Sequence, residues 1–415
     1  MAFINGKEVL FSPIIGNAGS DGDTAEFNIA YGDTEPTDTS KLWIKTSEPE
    51  AARVVSKVEG GIAELEAGIG TLPATIYGIA AAAVGTKVYL FGGNKDNTSA
   101  GFLKTIYVFD TESNAITTLS ATLPTAAGQI AAVAVGTKIY LFGGVNSSTS
   151  SSGYLTKIYV FDTESNTITT LSAALPAKAS DIAAAAVGTK IYLFGGVYWS
   201  SGRVYRNTIY VFNTESNTIT TLSVTLPTSA SDIAAAAVGT KIYLFGGQSG
   251  NSSYLNTIYV FDTESNTITT LSATLPAAIY GIAAAAVGIK VYLFGGRSSN
   301  TKKTIYVFDA ESNTITTLSV TLPTSATDIA AAAVGTKIYL FGGFSSALLD
   351  TINVFVVAFP LAVNNILIEA STTQNIFNLL PTVELGVNAV YLGNADGVAE
   401  TAAAALYVDG AWTEI

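Results

Sequence analysis

The stretch Ile182-Ala183-Ala184-Ala185-Ala186-Val187-Gly188-Thr189-Lys190-Ile191-Tyr192-Leu193-Phe194-Gly195-Gly196 decides the fold. A run of small residues, a Gly-Thr-Lys turn and a β-branched and aromatic run read as two short strands ending on two glycines. Alanines in a row suggest helix, but a run of about six falls well below the ~12 residues that a stable helix needs. Working forward, a variable loop leads to Ile209-Tyr210-Val211-Phe212. The turn Thr214-Glu215-Ser216-Asn217 then gives a fourth run, Ile219-Thr220-Thr221-Leu222, which runs on to Leu226-Pro227.

This unit recurs. Gly-Gly doublets begin at Gly92, Gly143, Gly195, Gly246, Gly295 and Gly342, and Leu-Pro pairs at Leu72, Leu123, Leu175, Leu226, Leu275 and Leu322. Both series step by 51, 52, 51, 49 and 47 residues, so there are six units. Four strands at such a period match one blade of a β-propeller. The alanine runs then have a physical reason: innermost strands crowd around the axis, and only small side chains let six of them converge.

The Gly-Gly doublet closing the second strand, followed by a Tyr on the third, resembles the kelch repeat over residues 72–357. The resemblance implies an all-β chain: a six-bladed kelch-type β-propeller with small β-rich N- and C-terminal extensions. Kelch units usually carry a Trp on the fourth strand. Here Ile116, Ile168, Ile219, Ile268 and Ile315 start that strand, which weakens the transfer of any particular kelch function. The expected organisation is an extension over 1–58, a propeller over 59–357 and a C-terminal module over 358–415. The sixth unit lacks its own fourth strand. Residues 62–65 are the expected latch, with residues 365–369 as the alternative; either closes the ring and hides a free sheet edge.

The extensions carry Lys41-Leu42-Trp43-Ile44-Lys45 and a terminal Gly410-Ala411-Trp412. Both ends resemble small modules at the termini of phage tail-fibre and other virion proteins, which implies a virion or extracellular particle and contacts with other particle subunits. Edge caps for the propeller are the structural alternative.

Composition narrows the chemistry. With net charge −12 and only Arg53, Arg203, Arg206 and Arg297 as arginines, a nucleic-acid face is not expected. The longest apolar stretch, 354–363, is too short to span a bilayer and contains Pro360. Residues 1–16 lack the uninterrupted apolar segment of a secretory signal. There is no Cys and no His, which removes thiolate and imidazole catalysis and the usual zinc and copper ligands. Kelch propellers include copper oxidases and sugar mutarotases. The first needs His and Cys; the second needs only carboxylates, but no convergent carboxylate pair is legible in the loops.

Comparing the six units with one another divides the propeller into two faces. Val-Gly-Thr-Lys between strands one and two changes only at Ile289, and Thr-Glu-Ser-Asn between strands three and four changes only at Ala310. The loops between strands two and three, and between strands four and one, diverge on the opposite face. They gather Tyr198, Trp199, Arg203, Tyr205 and Arg206 in unit three, Arg297 in unit five, Tyr254 in unit four and Tyr154 in unit two. Rigid aromatics beside arginines and small polar residues suit a binding surface, whereas relaxed drift would leave polar filler. Asp181, Asp232 and Asp328 open strand one in three units and should ring the pore mouth. They are a weak Ca²⁺ candidate set against a carboxylate that merely caps a turn. The reading expected from sequence is a non-enzymatic recognition or structural protein. It would bind a bacterial surface glycan or protein, an acidic glycan suiting the arginines, as a monomer or a homo-oligomer and without cofactor; a purely structural subunit or a mutarotase-type enzyme is the alternative.

Overall fold

A computed structural model describes residues 64–357, except 97, 148 and 149, together with short strands in the flanking segments 1–62 and 358–415. Residues 63–357 form one compact unit containing six four-stranded antiparallel blades. The chain is an all-β six-bladed propeller. In blade three the strands run Ala183–Val187, Lys190–Phe194, Thr208–Asn213 and Thr218–Thr225, from the axis outward. Alternation decides what each buries. Ala183 and Ala185 are buried in the core shared with blade four, while Ala184 and Ala186 pack, partly buried, on the core shared with blade two.

The sixth blade, Ala330–Val334, Lys337–Phe341 and Thr351–Val356, takes its outer strand from Glu64–Thr71. This strand runs further than the 62–65 expected from sequence, and Ile62 and Ala63 lie outside the described residues. Register explains the length. Leu65 faces Phe355 as Ile219 faces Phe212, and Thr71 faces Thr351 as Thr225 faces Thr208. Asn353 stands where the other blades have Tyr, and the N–H of Gly68 donates to its Oδ1 at 3.0 Å. A gap of about 30 Å³ beside Asn353, lined by Leu322, Leu340 and Leu349, remains where the other blades seat that ring. Among blades that are otherwise near copies, this pair distinguishes the edge the latch must find. The strand Ile366–Ile368 does not finish blade six; it pairs with Arg53–Ser56 and Ala404–Val408.

The flanking segments 1–62 and 358–415 form a second unit. They were expected as two modules, but Lys7–Pro13 pairs with Val390–Gly393, so strands from both ends share sheets. Of the residues behind the tail-fibre resemblance, Leu42–Lys45 and the start of Ala411–Glu414 are strands, while Lys41 and Gly410 lie outside the described residues.

Each blade meets the next through one repeated aromatic contact. Phe194 on strand two of blade three meets Phe261 on strand three of blade four edge-on, with centroids 5.4 Å apart. The same pairing recurs at all six junctions, ending with Phe109 against Phe341 across the closure. All twelve phenylalanines of these strands are fully buried. Each contributes roughly 1.5–3 kcal/mol of burial, and each edge-on pair about 1 kcal/mol more.

The Gly-Gly doublet sits where the blades come closest. Gly195 has φ +63°, and a Cβ there would overlap the carbonyl oxygen of Ala230 in the next blade's loop. Gly196 N–H donates to that same oxygen at 2.9 Å. By contrast, Gly188 in the turn of the same blade also has positive φ (+59°) but faces open space. Gly188→Ala is therefore expected to cost about 1 kcal/mol of backbone strain, and Gly195→Ala at least about 3 kcal/mol, read from denaturant unfolding. Equal costs would show that close approach is not what demands glycine.

Candidate binding face and pore mouth

The two faces differ for a physical reason. On the copied face, Thr214 donates both N–H (3.0 Å) and Oγ1–H (2.9 Å) to the Thr189 carbonyl, tying the two turns of a blade together. The same pair of bonds recurs in blades one, two and four. The two exceptions, Ile289 and Ala310, belong to one blade and face each other through the remaining backbone bond at 3.0 Å. Asp162 accepts from Glu164 N–H, Ser165 N–H and Ser165 Oγ at 3.0–3.1 Å, which holds its pKa down, the Ser165 backbone first. These turns are copied because their side chains build them.

On the divergent face the loops lean on one another. Val145, Tyr154 and Val197 are buried together, with Phe102, Tyr198, Trp199 and Tyr205 packed against them, so the loops of blades one to three share a small core. The hairpin Val197–Trp199 and Arg203–Tyr205 sets Trp199 opposite Arg203 and Tyr198 opposite Val204, which is exposed. Arg206 lies 4.3 Å over the Tyr198 ring and its Nε donates to the Lys178 carbonyl at 3.3 Å. Arg203 Nη1 donates to Gln248 Oε1 of blade four, also at 3.3 Å. Tyr254 stacks on Tyr280 at 4.7 Å. Thus Tyr154, Tyr198, Trp199, Arg203, Tyr205 and Arg206 form one group, while Tyr254 and Arg297 join Tyr280 in another.

These loops surround the pore mouth. In every blade the residue before the mouth exchanges a β-bridge with the residue just after the doublet, as Ser180 does with Val197 and Tyr280 with Arg297. The next residues are Gly78, Gln129, Asp181, Asp232, Gly281 and Asp328, all with φ between +52° and +60°. Glycine, Asp and Asn enter this left-handed region most readily, which explains why Gly and Asp interchange here. Along five of the six steps each N–H donates to the carbonyl of the preceding blade's residue, at 2.8–3.3 Å. Beneath lies a ring of isoleucines, Ile79, Ile130, Ile182, Ile233, Ile282 and Ile329, and the two rings enclose a cavity of about 150 Å³.

The three carboxylates do converge, although the loop sequences showed no such pair. They lie deep in the mouth yet still reach solvent. Burial pushes Asp181 well above the usual carboxylate range, and Asp232 adds to it. Burial also raises Asp232, against the opposing pull of Ser231 and Arg203. The two aspartates lie close enough for the charge of Asp232 to raise Asp181 further. Each is also served by its neighbouring hydroxyl, Ser180 Oγ at 2.7 Å and Ser231 Oγ at 2.8 Å. They do not cap backbone N–H groups, as the structural alternative supposed. Asp328 is raised to about 7 by burial and by Asp232, with Arg297 and Arg203 opposing. Among the described residues no group of three or more acidic side chains is placed to hold a metal ion, so the Ca²⁺ candidate gains no ligand set.

Burial works against the Arg203 charge, but Tyr205, Asp181 and Asp232 outweigh it. The Tyr205 hydroxyl is enclosed beside Arg203 without a well-formed hydrogen bond. Burial, with nearby carboxylates, raises the phenols of Tyr77 and Tyr154; burial likewise raises Tyr280. Sequence reading missed Gln129 and Gln248, and it missed the isoleucine ring, although Ile follows the mouth residue in all six units.

A raised folded-state pKa means that the native state holds the Asp328 proton more tightly than the unfolded chain does. Its destabilising effect is absent below about pH 4, grows through the interval to about pH 7 and is complete above that. Asp328→Asn keeps the left-handed backbone and cannot ionise. It should raise the melting temperature by a few degrees at pH 8 and by progressively less as the pH falls to 4. A pH-independent difference would remove Asp328 from the buried mouth.

A family model described as the KLHDC2/KLHL20/DRC7 Kelch-repeats domain matches residues 63–181 and 181–359. Among curated proteins, Kelch domain-containing protein 3 of Bos taurus is 28% identical over 188 residues, covering 42% of this chain and 48% of that protein. The chain thus spans about half the length of this relative.

Proposed function

The chain belongs to the kelch-repeat family, and from that premise we propose that it is a non-enzymatic recognition module whose divergent face binds a protein. The observation that carries this reading is the shared aromatic core of the loops. Divergent loops in relaxed drift have no reason to bury Val145, Tyr154 and Val197 together across two blades. The core gives the outward residues, half-buried Trp199 and exposed Arg203 and Val204, a rigid footing. Rigid aromatics flanked by arginine are the usual energetic centres of protein interfaces. A protein partner is favoured over the acidic glycan expected from sequence. Arg203 already faces Asp181, Asp232 and Gln248, and Arg206 is held by Tyr198 and Lys178. Arg203 thus already has carboxylates beside it, and Arg206 is fixed in place rather than free to reach out to an anionic sugar.

A second reading, acid–base chemistry on a sugar, draws on the Asp181–Asp232 pair, since two coupled carboxylates can serve as acid and base. It predicts that Asp181→Asn abolishes anomer interconversion of an added monosaccharide; the recognition reading predicts no such activity in the wild type.

The recognition reading is tested by capture from the source organism's proteins with three baits: wild type, Trp199→Ala/Arg206→Ala, and Glu164→Ala/Lys190→Ala on the copied face. Losing an aromatic anchor costs about 2 kcal/mol, roughly thirtyfold in affinity. The first variant should lose the captured proteins and the second should retain them, with both melting as wild type. Equal retention by both variants, or saturable binding to an array of acidic glycans, would replace the protein reading.

A further inference from the structure

Resting on the recognition reading above, we propose that the pore mouth receives one basic side chain of the protein partner, a lysine ammonium or an arginine guanidinium, with Asp328 as its counter-charge. The argument starts from an inequality among three aspartates in equivalent places. Asp181 accepts from Ser180 and Asp232 from Ser231, and Arg203 lies beside both. At the corresponding place before Asp328 stands Thr327, whose Oγ1 turns away to the Gly281 carbonyl at 3.2 Å. Among the described residues nothing donates a hydrogen bond to the Asp328 carboxylate and no cation lies within ion-pair distance of it. Its nearest cationic neighbours, Arg297 and Arg203, act only from a distance.

A recessed carboxylate without a donor is costly in isolation, and the missing partner is a cation that can also donate hydrogen bonds. The cavity fits such a group. Its roughly 150 Å³ equals the liquid volume of about five waters at ~30 Å³ each, room for a charged head and part of an alkyl stem. Gly78 and Gly281, the mouth residues on either side of Asp328, carry no side chain to fill the space. The isoleucine ring below makes an apolar floor for the stem, and Asp328 is near enough to Tyr77 and Tyr280 to raise both phenols. A metal ion is the poorer occupant, because a single free carboxylate supplies too few oxygen ligands.

The probe is n-butylammonium chloride, titrated at constant ionic strength into the full chain and followed by amide NMR. The expected result is a saturable shift at Gly78, Gln129, Gly281 and Asp328 that 1-butanol does not produce. Affinity should be about tenfold higher at pH 8 than at pH 6, as Asp328 with a pKa of about 7 ionises, while Asp181, Asp232, Arg203, Arg297, Tyr77 and Tyr280 face it across the mouth. Asp328→Asn, which should fold at least as stably, should abolish the shift. The proposal is overturned if no saturable shift appears, if the shift survives in Asp328→Asn, or if calcium chloride gives the same shifts at lower concentration. The probe needs no partner, so the two readings fail separately. Capture that ignores Trp199 and Arg206 sinks the recognition reading while butylammonium still binds; loop-dependent capture without butylammonium shifts sinks the mouth assignment alone.

Discussion

The hydrogen bond from the second glycine of each doublet to the loop carbonyl of the next blade is the constraint on which this propeller depends. It is made six times at 2.8–3.0 Å, and its last instance, Gly343 to Ile76, closes the ring at residues contributed by opposite ends of the repeat array. The first glycine makes room for it, since a methyl at Gly195 would occupy the position of the accepting oxygen. With the backbones fixed at that separation, the phenylalanines of facing strands can reach their edge-on contact at every junction. Close backbone approach therefore sets the packing, and the packing stabilises the blades.

The same bond explains why one face varies. It anchors the divergent loops at both ends, at the doublet and at the accepting carbonyl, so that what lies between needs only to satisfy itself. On the opposite face the turn side chains are themselves the structure: the Thr214 hydroxyl and the Asp162 carboxylate, or Asn213 in its place, supply the bonds that hold the turns. The paired exceptions Ile289 and Ala310 fit this account. Losing the hydroxyl at one removes the reason for keeping the turn sequence at the other, and the backbone bond alone persists. Constancy here reports turn chemistry rather than partner contact.

Much of the fold was legible because its determinants are local and repeated. Doublets, Leu-Pro pairs and short alanine runs each state the blade period, and six copies leave no competing frame. The latch was legible only in part. Glu64–Thr71 shares no threonine pattern with the other outer strands, and its glycines and Asn353 acquire meaning only once paired across 285 positions of sequence. The pore mouth was harder still. Nothing in the loop sequences says that Asp181 and Asp232 touch, because contact follows from the left-handed backbone that turns them toward the axis. The interchange of Asp with Gly78 and Gly281 in one column was the available sign of that backbone. The setting of the arginines was not legible for a related reason: composition counts charges but does not show that Arg203 lies beside Asp181 and Asp232.

That column also separates structural need from surplus. A residue required only to hold positive φ is best served by glycine, and two of the six blades use it. Asparagine would serve nearly as well without a charge. An aspartate enclosed above a ring of isoleucines, held near neutrality by burial, stabilises nothing that these would not. For Asp181 and Asp232 the cost is offset by serine hydroxyls and by Arg203. Asp328 has no such donor among the described residues, although Thr327 beside it carries a hydroxyl. A natural sequence is locally consistent almost everywhere, and the places where it departs from that consistency are where function is to be sought. In this propeller the repeats supply five internal controls for each position, and measured against them Asp328 is, among the described residues, the mouth aspartate to which no side chain donates.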